Sequence, residues 1–398
     1  MNIECVPKDR CTGCSLCQDI CPRKAIFMHA DMDGFEYPKI NGDCINCGKC
    51  YNLCPAVNQI ENDLSEPTML ASYVKDEKLL LESASGGAFS IIAEKFIRDG
   101  EGYIYGAAYS KDINTGISVK HICSHNLDDL KRLKGSKYVL SDMKGIYKEI
   151  KQRLIAGERV MFTGTPCQVS ALKNYCSDIS DDKLLLVDLV CHGAPNQRIF
   201  NDYLKYEEKR IGSKIRKVKF RYKIKRLGEW YTRNILITTE DDRHVLRRRF
   251  CSDFLRAYHP CLMNRLSCYE CIFSKSIRYS DITIGDFWGI ERIHKELSVE
   301  HGVSVVQFNS KKSLFYREEF YSNANTYKID IEEYKRKINN SLSKEGGIKK
   351  PRNRQLFLDS LRLYGFHKAI NRVYPFHKDA IRFGIANAVN KVKMFLRR

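Results

Sequence analysis

Two runs of cysteines, CTGCSLCQDICP at residues 11–22 and CINCGKCYNLCP at residues 44–55, decide how this chain begins to fold. Both follow the pattern CxxCxxCxxxCP, and each cysteine of the second run lies 33 positions after its counterpart in the first. A constant offset of this kind is an internal repeat, which predicts two copies of one structural unit packed against each other. The chain is therefore expected to begin with a small module that has two equivalent metal sites.

The spacing within each run is typical of 4Fe-4S ligation. Three cysteines at intervals of three residues surround one cluster, and the fourth, followed by proline, ligates the other cluster, as in bacterial two-cluster ferredoxins. Structural zinc is the alternative, but zinc sites usually combine CxxC pairs rather than two runs of four cysteines. The predicted ligands are Cys11, Cys14, Cys17 and Cys54 for the first cluster, and Cys44, Cys47, Cys50 and Cys21 for the second.

Length and composition favour a globular protein of several domains. The chain has 398 residues, which exceeds the roughly 250–300 at which one hydrophobic core usually stops growing. No apolar run approaches the ~20 residues of a membrane span, and no secretory signal opens the sequence. We therefore expect a cytoplasmic protein, in which 17 cysteines indicate metal binding or catalysis rather than disulfides.

Downstream of the repeat, the pattern changes at a polar segment near residues 58–68. From Met69 onward, strand-like apolar segments alternate with amphipathic helices, which is typical of βαβ units. Antiparallel strands around Gly228 are expected to extend that sheet. The predicted fold class is an α+β ferredoxin-like two-cluster domain at residues 1–57, then an α/β domain with a largely parallel sheet at residues 69–310. A basic helical region is predicted at residues 311–398.

Three turns are candidates for a ligand site, because ligands of such sheets bind beyond the carboxyl ends of the strands. SGG at residues 85–87 precedes a helix, where exposed N–H groups suit a pyrophosphate, although a plain capping turn fits equally well. GTP at residues 164–166 places Cys167 in the first turn of a helix, which favours its thiolate. CHG at residues 191–193 closes the next strand, so both cysteines should lie above the same sheet edge.

Several of these segments resemble the coenzyme F420 hydrogenase/dehydrogenase beta-subunit family. They are SGGAFS, GSKYVLS, GTPCQVSALK, DLVCHGAP, FRYK, SCYEC and SDITIGDFWG, and with the cysteine repeat they cover the chain to about residue 290. The resemblance implies an FAD-containing iron–sulfur oxidoreductase that passes electrons between its clusters, the flavin and a soluble substrate. Ferredoxin or another redox protein would be its partner. Similar stand-alone proteins are associated with surface-polysaccharide synthesis.

Carried over position by position, the resemblance assigns a flavin pocket. Arg221 and Lys223 match the family's FRxK and would meet phosphates or the flavin, and the alternative is a solvated basic strand. Residues 265–267, Arg-Leu-Ser, depart from the family's usual Arg-Pro-Ser before its CxxC. The full predicted FAD set is Ser85, Gly86, Gly87, Ser136, Lys137, Tyr138, Thr163, Gly164, Thr165, Arg221 and Lys223.

The isolated CxxC formed by Cys268 and Cys271 supplies only half of the ligands that a cubane needs. Cys167 and Cys191 are the best candidates for the other two, since each follows a strand of the predicted sheet in a segment that the family shares. We therefore expect a third 4Fe-4S cluster between the ferredoxin-type module and the FAD. A structural zinc in the same four thiolates, or a free CxxC, is the alternative.

Two alternative functions stay open, and the positive charge bears on the first of them. The formal net charge is +19, a balance also found in nucleic-acid-binding proteins, but no nucleic-acid-binding motif accompanies it and no nucleic acid is expected. An electron-transfer subunit without its own substrate site is a further alternative.

The last segment, residues 376–398, predicts an amphipathic helix that either contacts an anionic membrane peripherally, docks a partner or packs on the protein itself.

The crossed pattern gives a direct test. A Cys21→Ser substitution should damage the cluster of Cys44, Cys47 and Cys50 and spare the one that its own run builds, because the fourth cysteine ligates the neighbouring cluster. EPR spectra of the anaerobically reconstituted protein, with Cys5→Ser as a control, measure which signal is lost. Loss confined to the cluster of Cys11, Cys14 and Cys17 would overturn the crossed assignment.

Overall fold

The computed structural model of the protein describes residues 1–60, 62, 67–112, 116–226, 229–248, 251–297 and 302–375. The two cysteine runs lie in an N-terminal module with an antiparallel hairpin between them. Its elements are α1 (Leu16–Ile20), β1 (Ile26–Ala30), β2 (Glu36–Ile40) and α2 (Lys49–Asn52). Each helix contains the third cysteine of its run, so the repeat in the sequence is also a repeat in the structure.

The repeat extends to the backbone conformation of the two cysteine loops. Gly13 and Asn46 occupy equivalent positions and are both left-handed, with φ of 68° and 52°. Ser15 and Gly48 are equivalent as well, with φ of 66° and 75°. A left-handed conformation is uncommon for residues other than glycine, so Asn46 and Ser15 mark a tight backbone path that both loops share.

The rest of the chain forms two sheets with helices around them. In chain order its elements are β3 (Thr68–Val74), α3 (Glu77–Glu82), α4 (Ala88–Arg98), β4 (Tyr103–Asp112), β5 (Gly116–Ser124), α5 (Leu127–Leu133), α6 (Ile146–Ile155), β6 (Val160–Gly164), α7 (Pro166–Tyr175), β7 (Leu184–Leu189), α8 (Gln197–Ile211), β8 (Ile215–Arg226), β9 (Glu229–Thr239), β10 (His244–Arg247), α9 (Asp253–Tyr258), β11 (Ile282–Asp286), β12 (Ser304–Phe308), α10 (Arg317–Asn323), β13 (Ala324–Ile329), α11 (Ile331–Lys337), α12 (Arg354–Tyr364) and α13 (Phe366–Val373).

The large sheet is mixed, which corrects the prediction of a largely parallel one. Its described strands lie in the order β13-β3-β12-β11-β7-β6-β4-β5. Among these strands, only β4, β6, β7 and β11 form parallel pairs. The strand β5 is antiparallel to β4, β12 is antiparallel to β11, and β13 is antiparallel to β3. The difference arises because two pairs of consecutive strands, β4 with β5 and β11 with β12, pair directly with each other. Parallel pairing would instead require a helical crossover between the two strands of each pair.

The antiparallel strands near Gly228 also differ from the prediction, because they do not extend the large sheet. β8, β9 and β10 form a separate three-stranded sheet. Its apolar face, which includes Phe220 and Ile235, packs with Phe200, Phe254 and Phe366 from three helices in one buried cluster. Burial of this aromatic surface, rather than pairing with the edge of the large sheet, holds the smaller sheet in place.

Both faces of the central strands are buried, as expected for parallel strands. On β7, Leu185 and Val187 pack beneath α4, while Leu184 and Leu186 pack beneath α6 and α7. The second of these cores also contains Cys14, Leu16 and Ile20 of the N-terminal module. The module is thus packed into the core of the larger domain.

The C-terminal region departs in part from the helical prediction. It contains β13, which pairs antiparallel with β3 at the edge of the large sheet. The predicted amphipathic helix at residues 376–398 lies outside the described residues. In the part of the chain that the structure describes, no helix is long and apolar enough to cross a membrane.

The SGG turn before α4 yields a prediction about folding. A Cβ atom on Gly86 would lie 2.6 Å from the backbone nitrogen of Ser304 on β12, and it would also collide with the backbone of β3. Gly86→Ala should therefore displace the turn and lower the thermal midpoint of the protein by several degrees. Gly42→Ala, where a Cβ atom meets nothing within 4 Å, is the matched control. Equal midpoints for the two variants would contradict this packing.

Candidate metal and cofactor centres

Two small cavities, each of about 20 Å³, lie in the N-terminal module. Each is surrounded by four cysteines, and in each the fourth cysteine comes from the other run. One cavity is lined by Cys11, Cys14, Cys17 and Cys54, and the other by Cys44, Cys47, Cys50 and Cys21. These groupings are the two ligand sets that crossed ligation assigns.

A third cavity, of about 50 Å³, brings together Cys167, Cys191, Cys268 and Cys271, which we call the cysteine tetrad. Cys167 lies in the first turn of α7, and Cys191 follows β7. Among the described residues, no three Cys, His, Asp or Glu side chains are grouped as ligands of a single ion, either here or in the module. Four cysteines around one cavity are the ligand set of a cubane and also that of a structural zinc ion.

The C-terminal region covers the tetrad, which no local pattern in the sequence indicated. Ser341, Gly347 and Ile348 line the cavity, and the N–H of Ile348 donates to the carbonyl of Cys268 at 3.2 Å. A Cβ atom on Gly347 would collide with the backbone of Cys268 and Tyr269. This segment therefore covers one side of the cavity, and glycine at this position permits the close approach.

Burial sets the protonation state of the tetrad. It raises the pKa of Cys191 to about 12 and that of Cys271 to about 11, and it also raises the pKa of Cys268. The pKa of Cys167 lies well above its ordinary value for the same reason. The expected gain in thiolate character from the start of α7 is thus outweighed by desolvation. Without a metal these groups are neutral thiols, and binding a metal would release their protons.

A larger cavity, of about 280 Å³, opens at the carboxyl ends of β6, β7 and β11, beside the N-terminus of α4. We call it the cofactor cavity. Of the predicted FAD set, Ser85, Gly87, Ser136, Lys137, Tyr138, Thr163, Gly164 and Thr165 line it. The hydroxyl of Thr163 is buried in its wall and has no hydrogen-bond partner among the described residues. A buried polar atom of this kind is satisfied when a ligand supplies the partner.

The other three members of the predicted FAD set do not line the cavity: Gly86 is the middle residue of the SGG turn, and Arg221 and Lys223 lie behind it. Lys223 donates to the carbonyl of Ser85 at 2.6 Å, and Nε of Arg221 donates to the carbonyl of Ala84 at 3.2 Å. Arg221 also pairs with Asp286 at 2.9 Å, and burial lowers the pKa of Lys223 to about 7. Together with the tightly packed Gly86, these side chains fix the turn in position.

A polar network in the cavity wall was not predicted. Nδ1 of His121 accepts from the hydroxyl of Ser141 at 2.8 Å, and its Nε2–H donates to the carbonyl of Thr163 at 3.0 Å. Gln168 donates to Ser141 at 3.0 Å and accepts from the N–H of Thr165 at 3.1 Å. The T-x-x-Q spacing of Thr165 and Gln168 is a helix-capping signal that the sequence offered, whereas nothing in it singled out His121.

Neighbouring cavities share walls. Thr165, Cys191, Gly193 and Ala194 line both the cofactor cavity and the tetrad cavity. Thr12, between Cys11 and Cys14, lines both the tetrad cavity and the first cavity of the module. The three sites therefore follow one another in space as neighbours.

Comparison with known proteins agrees with this arrangement. Residues 157–334 match the family model that describes the C-terminal part of the beta subunit of coenzyme F420 hydrogenase/dehydrogenase, and residues 10–58 match a 4Fe-4S dicluster domain. This larger part of the chain belongs to the coenzyme F420 hydrogenase/dehydrogenase beta-subunit family. The resemblance identified from the motifs is thereby confirmed. The chain is an iron–sulfur protein of electron transfer, related to oxidoreductases.

Relatives of this beta-subunit-like protein match different parts of it. A ketoisovalerate oxidoreductase subunit of Methanothermobacter marburgensis is 39% identical over 54 residues, 13% of this chain and 68% of that protein. The coenzyme F420-dependent sulfite reductase of Methanocaldococcus jannaschii is 22% identical over 175 residues, 43% of this chain but only 26% of the enzyme. A chain of the F420-reducing nickel–iron hydrogenase complex from Methanosarcina barkeri has a TM-score of 0.45 at 18% identity, covering 69% of this chain and 86% of that chain.

The network around His121 gives a pH-dependent prediction. Burial lowers the pKa of His121 to about 4 from its ordinary 6.5. Between these values the unfolded chain binds a proton that the folded chain does not, so stability falls as the pH is lowered. The loss from this residue is roughly 1 kcal/mol at about pH 5.5.

In a His121→Gln variant this part of the pH dependence should be absent. Thermal midpoints of the anaerobic protein at about pH 7.5 and pH 5.5 measure the difference, with the exposed His29→Gln as the control. If His121→Gln and the wild type lose the same number of degrees on acidification, His121 is not held neutral in the fold.

Proposed function

We propose that this protein is an iron–sulfur flavoprotein oxidoreductase that passes electrons between an external redox protein and a soluble substrate through three 4Fe-4S clusters and an FAD. One observation carries the proposal: the tetrad cavity shares Thr165, Cys191, Gly193 and Ala194 with the cofactor cavity. When bound, the clusters would supply single-electron transfer, and the flavin would convert it into two-electron chemistry on an organic substrate.

The cysteines would hold the clusters in the sets that line each cavity. In the module, Cys44 is partly exposed and Cys47 is exposed, which favours this end as the place where a redox partner docks. The C-terminal segment covers the tetrad on one side. Reduced access of water suits electron transfer, because it lowers the reorganisation of solvent around the ligands.

The FAD would occupy the cofactor cavity. The N–H of Gly86 donates to the hydroxyl of Ser304 at 2.9 Å, so the remaining N–H groups at the N-terminus of α4 are those that would face a pyrophosphate. The hydroxyl of Thr163, which has no partner among the described residues, offers a donor in the wall. Arg221 and Lys223 would act indirectly, since they hold the carbonyls of the turn and so keep its N–H groups directed at the ligand. Lys137 donates to the carbonyl of Leu133 at 2.9 Å, which anchors the segment that carries Ser136 and Tyr138.

These roles divide the chain as the sequence predicts. Residues 1–57 would exchange electrons with the partner, and residues 69–310 would hold the flavin and the four cysteines of the tetrad. Within residues 311–398, the segment of residues 341–348 would cover the tetrad. The substrate is an unidentified soluble compound, and precursors of surface polysaccharides are the first class to try, because similar stand-alone proteins are associated with that synthesis.

Removal of one tetrad ligand tests the proposal. Wild-type protein reconstituted anaerobically should contain about twelve iron atoms, from three cubanes, and one FAD. Cys268→Ser should retain about eight iron atoms and the FAD, while reduction of the flavin by a reduced ferredoxin becomes much slower, because the intermediate centre is lost.

Cys251→Ser is the matched control, since Cys251 is an exposed thiol outside the cavities. Wild-type protein with about eight iron atoms and one tightly held zinc would contradict the third cluster. A flavin-free protein with full activity would contradict the flavin and favour an electron-transfer subunit instead.

A further inference from the structure

A buried arginine lies where the module meets the tetrad. Arg265 is 4% exposed and lines the tetrad cavity. Its guanidinium lies 4.4 Å from the ring centre of Tyr37, and Nη2 donates to the backbone carbonyl of Glu36 in β2. On its other side it presses against the first cysteine loop, because a Cβ atom on Gly13 would collide with it. The guanidinium therefore lies between the first cavity of the module and the tetrad cavity.

Two of its nitrogens lack partners. Nε and Nη1 are buried and donate no hydrogen bond to any described residue. Burial raises the pKa of Tyr37, and the nearby charge of Arg265 acts in the opposite direction. The Tyr37 hydroxyl nevertheless makes no hydrogen bond with the guanidinium or with any other described residue. A buried cation without counter-charge strongly destabilises a fold unless something anionic completes its surroundings.

The nearest candidates for that anion are thiolates on both sides. Arg265 lines the tetrad cavity together with Cys268, and its guanidinium lies against Gly13, which lines the first cavity of the module together with Cys14. The two cysteines belong to different cavities, so one guanidinium is adjacent to both sites. Four thiolates around a cluster carry more negative charge than its iron and sulfide neutralise, and reduction adds one more negative charge.

We propose that Arg265 is the shared counter-charge of the first module cluster and the tetrad cluster, and that it raises the reduction potential of both. A positive charge in a low-dielectric site favours the more negative, reduced state of each cluster, and N–H donors toward the sulfurs act in the same direction. The charge of Arg265 would thus make the first module cluster and the tetrad cluster easier to reduce. The inference rests on the proposed function, because it requires a cluster in the tetrad.

EPR-monitored redox titration of the anaerobic, cluster-loaded protein tests this. In Arg265→Gln, the ratio of reduced to oxidised centres at a fixed potential should fall about tenfold for the two clusters near residue 265, which corresponds to a shift of about 59 mV for one electron. The cluster assigned to Cys21, Cys44, Cys47 and Cys50 should not shift. Arg243→Gln removes the same charge from a surface pair with Asp241 and should leave all potentials unchanged.

Two further variants keep the inference testable if Arg265→Gln does not retain its clusters. Arg265→Lys keeps the charge, and Arg265→Met removes it while filling the space. Iron retained in the lysine variant and lost in the glutamine and methionine variants supports a requirement for charge. Equal iron loss in all three would overturn the inference, because packing alone would then explain the position.

The outcomes separate this inference from the proposed function. About twelve iron atoms with unchanged potentials in Arg265→Gln would overturn the role of Arg265 and leave the proposed function intact. About eight iron atoms in the wild type, with a shift confined to the first module cluster, would overturn the tetrad cluster and retain the effect of Arg265 on its neighbour in the module.

Discussion

The parallel pairing of β6, β7 and β11 is the constraint on which the rest of the structure depends. Because neighbouring parallel strands end at the same edge, the turns after β6 and β7 and the end of β11 converge around one cavity. Asp281 fixes this register, since it exchanges hydrogen bonds with the backbone of Leu186 on β7 at 2.7 and 2.8 Å. Cys191 follows β7 directly, so its place between the tetrad and the cofactor cavity is set by the sheet.

Electrostatics then distinguishes the centres from one another. The C-terminal segment covers the partly exposed cysteines of the tetrad, whereas the module keeps Cys47 exposed. Basic side chains bind backbone carbonyls at the SGG turn, where Lys223 and Arg221 are engaged. Arg265 is different, because two of its donors face no described partner at the junction of two cysteine sites. Positively charged side chains thus lie near the two places where anionic groups, the FAD pyrophosphate and the iron–sulfur clusters, would be held.

The grouping of the cysteines was easier to predict from the sequence than the arrangement of the sheet. Ligand spacing is a local property, so the cysteine runs could be grouped from their pattern, and the tetrad could be assembled from strand order. The separate sheet of β8 to β10 could not be predicted, because an apolar strand has the same sequence pattern whether it joins an existing sheet or packs on helices. His121 and the segment of residues 341–348 that covers the tetrad were missed for a similar reason, since their positions follow from tertiary packing with no local signal.

An anaerobic crystal structure with an iron-edge anomalous difference map would show whether a third cluster lies between the module and the cofactor cavity, because it locates each iron site against named cysteines. We expect three compact iron peaks, two in the module and one enclosed by Cys167, Cys191, Cys268 and Cys271. We also expect flavin density in the cofactor cavity beside Thr165 and Cys191. Iron peaks confined to the module, with a zinc signal or paired thiols at the tetrad, would contradict it.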